Sequence, residues 1–142
     1  MRIADVLRAK GDAVATITPQ TSVGGLLYEM ALHNIGAMVV VSPDGVVGIV
    51  SERDVVRKLH ELGADLVRRP VSDIMSVRVE TCAPGDSVDS VSALMTHNRV
   101  RHVPVIDNGR LAGIVSIGDV VKTRMEELEA EQEQLQAYIT QG

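Results

Sequence analysis

The sequence has no tryptophan, no phenylalanine and only two tyrosines, so aromatic side chains make up 1% of it. Nucleic-acid surfaces that stack bases on aromatic rings are thereby excluded. The formal net charge of -5, from 14 basic against 19 acidic residues, repels a phosphate backbone rather than drawing it in. Long hydrophobic runs are also missing: stretches such as Ala37 to Val41 stop after a few residues, where a bilayer-crossing helix takes about 20. The single cysteine, Cys82, cannot close an internal disulfide, and Asp5 interrupts the stretch where a signal peptide would be apolar. The expectation is a cytoplasmic protein with neither a membrane nor a nucleic acid as partner. What is present is 142 residues, 45% of them apolar, enough for one compact domain or two very small ones.

Catalytic constellations are equally scarce. The histidines, His33, His60, His97 and His102, form no H-x-x-x-H or H-E-x-x-H pattern, and Cys82 has no second cysteine, so no metal site is expected. There is no G-x-G-x-x-G, no P-loop and no G-x-S-x-G. Cys82 takes the place of Ile17 in the repeat described next, which suits a small buried apolar role, and Met30 and Met95 coincide there as core residues. The expectation is a protein that is not an enzyme.

The dominant feature is internal repetition. Shifted by 65 residues, Val14 to Arg57 aligns with Val79 to Lys122 without a gap and with 14 identities, among them Thr16 with Thr81, Ser51 with Ser116 and Asp54 with Asp119. A shorter echo, at an offset of 68, relates Ile3-Ala4-Asp5-Val6-Leu7 to Val71-Ser72-Asp73-Ile74-Met75. Within each unit, Ser22 or Ser87 serves as N-cap to a helix with apolar residues at helical spacing. The runs Met38 to Val41 and Val103 to Ile106 end in turn residues before a second run resumes, which reads as a hairpin. After Ser51 and Ser116 the pattern turns helical again. Each unit therefore reads β-α-β-β-α, an α+β class, and a unit of about 60 residues buries too little surface alone, so the two should pack together. The boundaries fall at residues 1–67 for the first unit, 68–125 for the second and 126–142 for an acidic helical tail. Leading into and along that tail, Val121, Met125, Leu128, Gln132, Leu135 and Ile139 alternate by four and three, the spacing of a short heptad seam.

Both units carry Gly-Ile-Val-Ser-x-x-Asp where a strand runs into a helix, as Gly48 to Asp54 and Gly113 to Asp119. Ser followed three residues later by an acid is a capping pattern, the carboxylate reaching back to the N-cap. The same groups can instead hold a nucleotide, with the helix end and the hydroxyl near a phosphate and the carboxylate accepting from ribose hydroxyls. On that second reading Gly48 and Gly113 give a ligand room to approach the backbone. The two readings share residues and do not exclude each other.

With these stretches, the lead Asp73-Ile74-Met75 and the segment Asn98-Arg99-Val100-Arg101-His102-Val103-Pro104-Val105-Ile106-Asp107, the chain resembles the cystathionine-β-synthase (CBS) domain family. It is similar specifically to a CBS pair, or Bateman module, over nearly everything from Ile3 to Met125, and Gln136-Ala137-Tyr138-Ile139 also matches small proteins made only of such a pair. The resemblance implies two units related by a pseudo-twofold axis, a C-terminal helix, and two clefts that take adenosine-containing ligands: AMP, ADP, ATP, NAD(H) or S-adenosylmethionine. By position it assigns ribose hydroxyls to Asp54 and Asp119, phosphate to Ser51 and Ser116, the base pocket to Thr16 and Thr81, and base or phosphate contacts to Gly36, Ala37, Arg101 and His102. Arg53 adds a cation in the first motif only, where the second has Gly118, so the clefts should be unequal. Alone, Arg101 reads as a solvated charge and His102 as a histidine at a strand edge. The resemblance further implies a homodimer and a regulated protein partner of unknown identity. The rival expectation is a constitutive dimeric scaffold in which Ser-x-x-Asp merely caps helices.

Overall fold

The structure is a computed structural model and describes residues 1–141. In the first unit β1 (Thr16–Ile17) pairs in parallel with β2 (Ala37–Ser42), which pairs antiparallel with β3 (Gly45–Ser51). Helices α2 (Val23–His33) and α3 (Glu52–Leu62) complete it, and α1 (Ile3–Lys10) precedes it. The second unit has α4 (Val88–Asn98), the antiparallel pair β4 (His102–Asp107) and β5 (Arg110–Ser116), and α5 (Ile117–Gln141). The expected β-α-β-β-α order holds, with one difference. The strand matching β1 shrinks to a single parallel bridge, Cys82 to Val105, and the next amide, that of Ala83, turns away to donate to the Asp86 carboxylate.

Local chemistry accounts for the shared elements. Ser22 and Ser87 cap α2 and α4, each hydroxyl accepting from the amide three residues on. The β4–β5 hairpin turns on Asn108-Gly109, both at positive φ (51° and 77°), as a two-residue turn matching strand twist demands. Two hydrophobic cores result. One gathers Ile17, Val23, Leu26, Met30, Met38, Val40, Val50 and Val55, and the other Cys82, Val88, Val91, Met95, Val103, Val105, Val115 and Val120.

The lead segments cross over. Ile3, Val6 and Leu7 of α1 complete the second unit's core, whereas Val71 and Ile74 complete the first unit's. The hydrogen bonds repeat the exchange: the Ile3 amide donates to Asp86 O and that of Ala4 to Pro84 O, while Val71 donates to Thr21 O and Ser72 to Pro19 O. Their spacing is that of the echo and the repeat, so a pseudo-twofold relation extends to the leads. The lead forms differ, since Val71–Asp73 is only a 3-10 turn where its counterpart is an eight-residue α-helix.

The tail continues α5 without interruption to Gln141, and residues 128–141 are exposed throughout. No helix among the described residues is long and apolar enough to cross a membrane.

Candidate functional site

Each strand-to-helix corner is built from the repeat. Ala37 is in register with Ser51, and His102 with Ser116, so the residues singled out on β2 and β4 lie directly across from those at the ends of β3 and β5. Gly36 O accepts from the Glu52 amide at 3.0 Å, and Arg101 O from the Ile117 amide at 2.8 Å, tying the start of each central strand to the first turn of each following helix. The capping pattern forms at both corners. Asp54 Oδ2 accepts from the Ser51 amide at 2.8 Å and from its Oγ at 3.1 Å, and Asp119 Oδ2 from Ser116 N at 2.8 Å and Oγ at 3.0 Å.

Gly36, Ala37, Ser51 and Asp54 thus form one corner, and Arg101, His102, Ser116 and Asp119 the other. Thr16 lies exposed on β1, beside β2, and Thr81 is exposed next to the Cys82 bridge. Arg53 is exposed on α3, and no hydrogen bond or ion pair among the described residues ties it to the corner.

The glycines of the motif have a different role from the ligand approach expected of them. A Cβ on Gly48 would lie 2.7 Å from Met75 Sδ and 3.0 Å from Ser76 O; one on Gly113 would lie 2.7 Å from Leu7 Cδ2. The space they leave is filled by the crossed leads.

Two residues not anticipated from the sequence as site residues join the corners. Lys10, the last residue of α1, donates through Nζ to Asp119 Oδ2 at 2.7 Å and to Ile114 O at 2.8 Å. Glu52 packs its carboxyl against Gly36 and also acts on His102. The only sequence signal for Lys10 is that its echo position, Arg78, is also basic; Arg78, however, is exposed and pairs with Glu80 at 3.7 Å. Burial pushes the His102 imidazole below its ordinary value, the Lys10 and Arg101 charges add to this, and Glu52 and Asp119 oppose it. At Asp119 burial acts to raise the carboxyl, but hydrogen bonds from Lys10 and Ser116 and the Lys10 charge outweigh it, so the group sits below the ordinary carboxylate value. Cys82 is buried as expected, and burial, with the Asp86 charge, pushes its thiol up to about 11, which leaves it an inert core residue. No cluster of three metal-ligating side chains forms among the described residues.

The fold and these corners define a duplicated α+β module, and the comparisons name it. The CBS domain family model matches residues 3–61 and 71–126, and the chain belongs to that family. It is a CBS domain pair, a regulatory module. A mitochondrial CBS domain-containing protein of Arabidopsis thaliana is 38% identical over 149 residues, covering 99% of this chain and 72% of that protein. Among solved structures, a CBS-domain containing protein from Agrobacterium tumefaciens shares 44% identity with a TM-score of 0.84, over 87% of this chain and 92% of that one. A further CBS domain pair, solved in complex with 5′-methylthioadenosine and S-adenosyl-L-methionine, is 25% identical with a TM-score of 0.77, over 87% of this chain and 98% of that one.

Proposed function

We propose that this chain is a non-catalytic cytoplasmic sensor that binds an adenosine-containing ligand, of the AMP, ADP, ATP or NAD(H) type, at the corners around Asp54 and Asp119. One observation carries the reading. At both corners every hydrogen bond to the aspartate among the described residues, the one from Lys10 included, falls on Oδ2, which leaves Oδ1 as an acceptor for a ribose hydroxyl while the cap stays intact. Thr16, Gly36, Ala37, Ser51 and Arg53 would serve the first ligand, and Thr81, Arg101, His102, Ser116 and Asp119 the second. Support from outside the chain is the related pair whose structure holds two adenosine derivatives.

The test is titration calorimetry against AMP, ADP, ATP, NAD, NADH and S-adenosylmethionine. Saturable binding is expected, and Asp54→Ala should weaken the first cleft at least tenfold, since a hydrogen bond to a charged group contributes about 1.5 kcal/mol or more. Absence of heat with all six ligands, on folded protein free of carried-over nucleotide, overturns the reading. It would favour the scaffold alternative, which rests on the capping geometry being complete without a ligand.

A ligand signals only by binding two states unequally, and an interface between copies supplies such states. We assign that interface to the apolar stripe of α5, where Val121, Met125, Leu128, Leu135 and Ile139 are all more than half exposed, together with Val56 and Leu59 on α3. The first part of the stripe lines an open groove of about 550 Å³ along α5. Sedimentation at micromolar concentration should show a homodimer, and a species of 15.2 kDa alone would overturn this assignment.

A further inference from the structure

We propose that Lys10 is a built-in counter-ion of the second cleft, engaging the Asp119 carboxylate so that it accepts a ribose less strongly, and that the cleft at Asp54 therefore fills first. The inference rests on reading both aspartates as ribose acceptors. Asp119 Oδ2 receives three donors: the Ser116 amide at 2.8 Å, the Ser116 hydroxyl at 3.0 Å and Lys10 Nζ at 2.7 Å. Asp54 Oδ2 receives only the two from Ser51. The corners share their caps and differ in the added cation.

The ammonium is delivered by a fixed element. Ile3, Val6 and Leu7 anchor α1 in the second unit's core, which sets where its last residue can reach, and Nζ is held a second time by Ile114 O at 2.8 Å. The Lys10 and Asp119 side chains are 32% and 21% exposed, so the pair is partly shielded from water. A ribose hydroxyl arriving at the open Oδ1 meets a carboxylate whose charge is already engaged by a charge-assisted hydrogen bond, the stronger kind, and is held less tightly. At the first corner the echo residue, Arg78, is 89% exposed and engaged with Glu80, and leaves Asp54 open.

Adenosine is the probe, because it carries the vicinal hydroxyls without a phosphate that could attract Lys10 in its own right. Asp54→Ala isolates the second cleft, and Asp119→Ala isolates the first. In the Asp54→Ala background, adding Lys10→Met should tighten adenosine binding roughly threefold to tenfold, the range for a partly shielded ion pair. In the Asp119→Ala background the same change should leave the affinity unaltered. Thermal melts confirm folding, and Lys10→Gln gives the same readout should the methionine variant fail to fold. Unchanged or weaker adenosine binding on removing Lys10 in the Asp54→Ala background overturns the proposal, since the lysine is then a bystander or itself a ligand contact. Failure of adenosine and AMP to bind even the unaltered protein sinks the ribose reading and this inference with it, whereas binding at Asp54 with no effect of Lys10 sinks the inference alone.

Discussion

Ile3→Ala is expected to destabilise the protein by about 2–5 kcal/mol, a large part of the stability of a domain this size. Ile3 is fully buried, and it packs not with the unit it precedes but with Val88, Val91, Met95 and Val103 of the other one. Truncating it removes apolar contact and leaves a cavity that the surrounding strands fill only in part. The damage should therefore appear first in α4, β4 and β5, more than 80 residues along the chain, as an early loss of amide hydrogen-exchange protection there. Val71→Ala should act in mirror image on α2 and β2, because Val71 is the fully buried counterpart in the first core. Protection lost first around α2 on replacing Ile3 would show that the leads do not cross.

Gly48→Val is expected to cost about 3 kcal/mol, at the upper end for an overpacked position, and Gly113→Ala distinctly less. The two glycines occupy equivalent places but face different neighbours. A side chain at Gly48 meets the Ser76 carbonyl 3.0 Å away as well as Met75 Sδ. That carbonyl accepts from the Ile49 amide at 3.0 Å while the Ser76 amide donates to Ile49 O at 2.8 Å, so the backbone cannot retreat without losing the bridge. At Gly113 the nearest atoms are the ends of the Leu7 side chain, which can rotate. Urea unfolding of Gly48→Ala, Gly48→Val and Gly113→Ala measures the series. An equal or larger loss for Gly113→Ala than for Gly48→Ala would contradict the account, and a fall in nucleotide affinity without loss of stability would return the glycines to the ligand.

Residue order reveals some parts of this structure and hides others. The duplication was legible because a gapless repeat puts identical residues in identical local settings, and the caps at Ser22, Ser51, Ser87 and Ser116 were legible because each involves partners three residues apart. The family followed from the same stretches. The crossing of the leads was not, since an echo between Ile3-Ala4-Asp5 and Val71-Ser72-Asp73 shows likeness without showing which core each one joins. The glycines were misread for a related reason: an absent side chain marks a close approach but does not name what approaches. Lys10 was missed because its partner lies 109 positions away, and no spacing rule reaches that far. The first strand of the second unit is shorter than its spacing predicts because Pro104 stands where β2 has Val39 and has no amide hydrogen to donate to it.

The exchange of leads also sets an order of events during synthesis. Leu7 packs over Gly113, a residue made more than a hundred positions later, so at roughly 5–20 residues per second α1 waits about 5–20 s for its partner. Over that interval Ile3, Val6 and Leu7 have no core of their own to enter, while Val71 and Ile74 can close the first unit as soon as they emerge. The earliest segment of the chain is therefore among the last to find its place, and the nascent protein passes through a stage in which one half is sealed and the other still lacks its lid.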